Sequence, residues 1–149
     1  MNIRESLYKQ CELFVGNRLI SIQDTIGELE KALLSETKSS AGDKHETGRA
    51  MIHLELEKAG RHLYETQKIK QALLRIDKKK LSKKVSAGSI VYTSRVNYYI
   101  AISAGELKHK NELFFAISPD APIGKLLLSK QVNDSINFRG VKSIIEKII

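Results

Sequence analysis

Two apolar seams of similar length, separated by a short polar break, limit what the first half of this chain can become. Val15, Leu19, Ile22, Ile26, Leu29 and Leu33 step alternately by four and three residues, a heptad pattern. Ile3, Leu7, Cys11 and Phe14 extend the stripe toward the N-terminus, and no proline interrupts it. The spacing predicts one helix from residue 3 to about residue 36. A second seam, Ile52, Leu56, Ala59, Leu63, Thr66, Ile69, Leu73 and Ile76, predicts another from near Asp43 to about Asp77. Between them, Glu36 to Gly42 breaks the pattern. Serine and glycine favour turns there, and Gly42 can take the positive φ that ends a helix. Two long helices with a short connection pair as an antiparallel hairpin. An arm of roughly 33 residues is about 50 Å long at helical rise.

The period changes at Val85. Gly88 to Thr93, Val96 to Ser103 and Glu112 to Ser118 are rich in β-branched and aromatic residues, which favour strands. Ala104-Gly105 and the polar stretch through Lys108-His109-Lys110-Asn111 read as the connection between the last two. Ala121 to Ser129 reads as a short helix with Pro122 in its first turn. Ser135 to Phe138 and Val141 to Ile148 read as a closing hairpin around Arg139-Gly140. The fold class expected is therefore α+β. A helical coiled-coil hairpin over 1–80 leads through a basic linker at 81–84 to a small β-rich domain over 85–149.

Composition narrows the function classes. The chain has 149 residues and a net charge of +8. No apolar run approaches the roughly 20 residues a membrane-spanning helix needs. The N-terminus lacks the basic-then-apolar pattern of a signal peptide. The expected location is the cytoplasm. One cysteine, Cys11, excludes an intramolecular disulfide and any multi-cysteine metal site. With no base placed near it, Cys11 reads as a small buried hydrophobe rather than a nucleophile. His45, His53 and His62 are spaced by eight and nine residues, which does not stack a metal pair on one helix face. Solvent-facing histidine is the expectation for each.

The charge is unevenly spread. Residues 36–84 hold thirteen Lys/Arg against seven Asp/Glu, whereas residues 1–35 hold four against five. A basic second helix and linker suit a polyanionic neighbourhood, and equally a solvated basic face.

The break between the helices, near 39–50, carries two carboxylates three residues apart, Asp43 and Glu46. Asp-x-x-Glu is a capping pattern, in which Asp43 accepts from an early helical N–H and Glu46 reaches back to the N-cap amide. The same pair at the far end of a hairpin can also deliver negative charge to a place a globular surface cannot reach. The two roles are compatible.

Two segments resemble the Gre family of bacterial transcript-cleavage factors. Gly42-Asp43-Lys44-His45-Glu46-Thr47 is similar to that family's tip motif, Gly-Asp-x-x-Glu-Asn. Ile117-Ser118-Pro119-Asp120-Ala121-Pro122-Ile123-Gly124-Lys125-Leu126-Leu127 is similar to its C-terminal Ser-Pro-x-x-Arg-Ala-Leu-Leu motif. Val132-Asn133-Asp134-Ser135 stands where the family has Gly-Asp before a strand. The order of parts agrees over essentially the whole chain.

The resemblance implies an FKBP-like second domain that docks on the rim of the secondary channel of bacterial RNA polymerase. Asp120 and Pro122 match the docking segment. It also implies a coiled coil that enters the channel, so that Asp43 and Glu46 help hold a catalytic Mg²⁺ in the polymerase active site. Backtracked RNA is then cleaved near its 3′ end by the polymerase's own hydrolysis, and the factor, expected as a monomer without an intrinsic cofactor, is an activator rather than an enzyme. This sequence departs from the pattern after Glu46. Thr47-Gly48-Arg49-Ala50 replaces Asn-Ala-Glu-Tyr, which reverses a charge at Arg49. Lys125 replaces an arginine, and Gly124 stands where alanine is usual. A polymerase inhibitor using the same channel, and a structural coiled-coil adaptor whose acids only cap, are the alternatives.

Overall fold

The structure, a computed structural model, describes residues 1–38, 43–79 and 81–149, without the side chains of 37, 38 and 43–45. The chain forms two compact units. One comprises Met1–Phe14 with Lys70–Ile149, and the other Val15–Ile69.

The second unit holds the greater part of two long helices, α1 (Ile3–Lys38) and α2 (Asp43–Leu74). The seam residues behave as the heptad spacing requires. Val15, Ala59 and Thr66 are buried, and Leu19, Ile22, Ile26, Leu29, Leu33, Ile52, Leu56, Leu63 and Ile69 are half-buried. Half-burial is what a two-helix seam gives, because each helix has one neighbour and its remaining face meets water. Thr66 satisfies its buried hydroxyl by donating to the His62 carbonyl at 2.7 Å. Next to the break, Gly48 on α2 faces Glu36 on α1. A Cβ added at Gly48 would lie 3.2 Å from the Glu36 carboxyl carbon.

The first unit begins with a capped helix. Asn2 Oδ1 accepts from the Glu5 amide at 2.9 Å, and Glu5 Oε2 accepts from the Asn2 amide at 3.4 Å, a reciprocal box at the start of α1. Leu7, Tyr8 and Cys11 are buried, and so are Leu73 and Ile76 near the end of α2. The Tyr8 hydroxyl donates to the Leu73 carbonyl at 3.2 Å, joining the two helices at this end. Phe14, expected in the stripe, is exposed, since it stands beside the seam that continues from Cys11 to Val15. The second helix ends at Leu74, three residues short of Asp77. The chain leaves it through a tighter bond, from Ile76 N to the Leu73 carbonyl at 3.2 Å, and this keeps Ile76 buried.

Among the described residues six strands follow: β1 (Ile90–Thr93), β2 (Asn97–Ile100), β3 (Gly105–His109), β4 (Glu112–Ile117), β5 (Ser135–Phe138) and β6 (Val141–Ile148), with α3 (Pro122–Leu127) between β4 and β5. Their order across the sheet is β3-β4-β2-β1-β6-β5. Among the described residues, only β2 and β4 pair in parallel. The class is α+β, a long helical hairpin followed by a small β-rich domain with one short helix.

Within the stretch expected as a connection at 104–111, Gly105–His109 instead form strand β3, and the turn is confined to Lys110 and Asn111. Leu107 is its one buried residue, and it pairs with Phe114. An edge strand needs few apolar positions because only one side chain in two meets the core. The closing hairpin falls where its pattern placed it. Arg139 and Gly140 both take positive φ, +52° and +80°, as a two-residue hairpin turn demands.

The sheet is buried on both faces. On one, Val91, Ile100 and Ile145 pack with Ile123 and Leu127 of α3. On the other, Ile90, Tyr99, Leu107, Phe114 and Ala116 are all buried. Tyr99 on that face lies within electrostatic reach of Arg4, Tyr8 and Cys11, so the root of the helical hairpin covers it. Arg4 Nη1 donates to the Gly88 carbonyl beside the same contact.

Candidate functional site

Asp43 is the first residue of α2, and Glu46 follows one turn later, exposed. Positions three apart on a helix are neighbours on its surface. The break expected at 36–42 falls partly, over 39–42 with the positive φ expected at Gly42, outside the described residues. So does the Asp43 side chain, and with it the expected cap. The side chain of His45 also lies outside them, while His53 and His62 are exposed. Among the described residues, no group of three or more His, Cys, Asp or Glu gathers to hold a metal ion. Two carboxylates of this kind suit Mg²⁺ chemically as hard oxygen donors. Two carboxylates would supply only part of an octahedral shell.

The second candidate segment is built around a tight turn. The Ser118 hydroxyl accepts from the Asp120 amide at 3.1 Å, and the Ser118 carbonyl accepts from the Ala121 amide at 3.1 Å. Ser118 is itself held from behind, since its amide donates to Ser103 Oγ at 3.1 Å. Ala121 is the N-cap of α3, and Pro122 opens the helix, where its missing N–H costs nothing. Asp120, Pro122 and Lys125 are exposed, whereas Ile123, Gly124 and Leu127 point into the core. The turn therefore presents Asp120 and Pro122 to solvent from a rigid base.

Asp43 and Glu46 belong to one compact unit, Asp120 and Pro122 to the other. On α2, Lys58, Arg61, Lys68 and Lys70 are exposed, as is Arg75 just beyond it, whereas Arg49 is half-buried. Lys68 rests over the Tyr64 ring at 4.5 Å, and Lys78, beyond the end of α2, over the Tyr8 ring at 4.0 Å. Cys11 is fully buried, and burial pushes its thiol up to about 12, which removes it as a nucleophile. No helix among the described residues is long and apolar enough to cross a membrane.

Sequence reasoning passed over what holds the turn in place. Gly124 stands out in the sequence only as a departure from an alanine; that a Cβ there would meet the Ser118 carbonyl follows from a backbone approach that no local pattern encodes.

No family model matches the chain, and no curated protein matches it significantly. Among solved structures, the transcription factor Gfh1 is similar, with 18% identity over 96% of this chain and 93% of that one, at a TM-score of 0.36.

Proposed function

We propose that this protein is a Gre-like factor that acts on bacterial RNA polymerase in the cytoplasm. The observation that carries the reading is an acidic pair opening the second helix of a hairpin, joined in one chain to a sheet domain that displays Asp120 and Pro122 on a braced turn. The turn docks on the rim of the secondary channel, and the hairpin carries Asp43 and Glu46 toward the active site. Mg²⁺ bound there would neutralise charge on the reacting phosphodiester. Asp43 and Glu46 contribute hard anionic oxygens to that shared site and raise its occupancy. The protein is then an activator of the polymerase's hydrolysis and not an enzyme by itself. The exposed basic face of α2 suits an acidic channel or the backtracked RNA.

A second reading is an inhibitor that occupies the same channel. It is favoured by Gly48 and Arg49, which follow Glu46 where the resemblance calls for alanine and an acid. One assay separates the two. Backtracked polymerase is incubated with the protein, and release of short 3′ RNA fragments is followed. Accelerated release supports the activator, and slowed release supports the inhibitor. No binding to polymerase at all leaves a structural adaptor.

A further inference from the structure

The close approach of α3 to the turn before it has a consequence for docking. A Cβ built on Gly124 would lie 2.1 Å from the Ser118 carbonyl oxygen and 3.1 Å from both the Cα and the carbonyl carbon of Pro119. All three are backbone atoms, so no flexible side chain can swing aside. Gly124 is buried, which closes the other way out. The atom it accommodates is the same carbonyl that accepts from Ala121 and sets the turn.

We infer that Gly124 is a positioning residue for the docking turn. Its missing side chain fixes where Ser118 and Pro119 lie, and through them where Asp120 and Pro122 are presented. The inference rests on the docking role proposed above. With the turn of this chain as close to α3 as it is, a side chain at 124 must push the turn outward, opening the Ser118–Ala121 and Ser118–Asp120 bonds. The exposed residues change place without being altered themselves.

The test uses the full chain with Gly124→Ala, Asp120→Ala and the double variant. Two quantities are read: affinity for RNA polymerase, and hydrogen exchange at the Asp120 and Ala121 amides. Gly124→Ala should speed exchange at those two amides while the amides of β1 and β6 stay protected. It should also weaken polymerase binding by roughly tenfold, the scale of one well-placed contact. If Gly124 acts through the turn, the double variant should bind no worse than the weaker single one, because the two changes remove the same interaction. Simple destabilisation would instead make the losses multiply, and that result overturns the inference. Unchanged exchange in Gly124→Ala overturns it too. Failure of the docking reading looks different: Asp120→Ala then binds as tightly as the unaltered protein. Loss of binding in Asp120→Ala with none in Gly124→Ala leaves docking intact and removes Gly124 from it.

Discussion

Gln10 and Lys108 are joined twice. Gln10 Nε2 donates to the Lys108 carbonyl at 2.8 Å, and the Lys108 amide donates to Gln10 Oε1 at 3.1 Å. A side-chain amide on α1 thus imitates the next strand at the free edge of β3. Edge strands carry unpaired backbone groups that another chain can recruit, and this pair closes one such position. It also ties the helix to a strand that has only Leu107 as its buried anchor.

Gln10→Ala removes both bonds. Each is solvent-exposed, so the combined cost should stay near the lower end for hydrogen bonds, about 0.5–1 kcal/mol. A shift of the urea midpoint at constant slope would measure it. A midpoint identical to that of the unaltered protein would mean that water replaces the amide fully.

Tyr99 should behave in the opposite way. Its ring is fully buried, and its hydroxyl has no hydrogen-bond partner among the described residues. An unsatisfied buried hydroxyl costs about 1–3 kcal/mol of desolvation, so Tyr99→Phe should leave stability unchanged or raise it by up to about 1 kcal/mol. Thermal unfolding of the two proteins decides. A clear loss of stability would show that the hydroxyl does hold a partner, such as a buried water.

The same buried region predicts a loss of stability in alkali. Burial raises the Cys11 thiol from 9.0 to about 12. Below pH 9 the thiol is protonated in both folded and unfolded chains, and its contribution is complete. As pH rises from 9 toward 12, the unfolded chain releases this proton and the folded one keeps it. Stability must fall over that window. Tyr99 and Tyr8 are also pushed up, chiefly by burial, and steepen the fall. Cys11→Ala should therefore show a shallower decline between pH 9 and 11, even though its smaller side chain lowers stability at neutral pH. Parallel declines for both proteins would remove Cys11 from the explanation.

These residues show how far the sequence was legible. The seams could be read because steps of four and three, alternating from Val15 to Leu33 and mixed from Ile52 to Ile76, are a strong local signal. The hairpin at Arg139-Gly140 was legible for the same reason, since the turn chemistry is contained in two residues. β3 was not, because one apolar residue among Glu106, Lys108 and His109 has no visible period. Its partners, Phe114 and Gln10, lie far along the chain in the case of Gln10. The contact at Gly124 and the unpaired hydroxyl of Tyr99 are likewise products of tertiary approach. The acidic pair at 43 and 46 was legible as a motif, but a motif alone does not separate capping from metal binding.

That ambiguity has a direct test. Asparagine caps a helix about as well as aspartate, and glutamine can replace glutamate in a capping box. Asp43→Asn with Glu46→Gln therefore keeps the hydrogen-bonding groups and removes the charge. If the acids only cap, the double variant should lose at most a few tenths of a kcal/mol of stability and keep every activity of the protein. If they complete a shared metal site, folding and polymerase binding should survive while RNA cleavage fails at limiting Mg²⁺, since neutral amides are poor partners for that ion. Raising Mg²⁺ should then restore part of the cleavage, because mass action fills a weakened site. Asp43→Ala is the control, as it should also lose about 1 kcal/mol of capping. Full cleavage by the Asn/Gln variant at limiting Mg²⁺ would leave Asp43 and Glu46 as caps and nothing more.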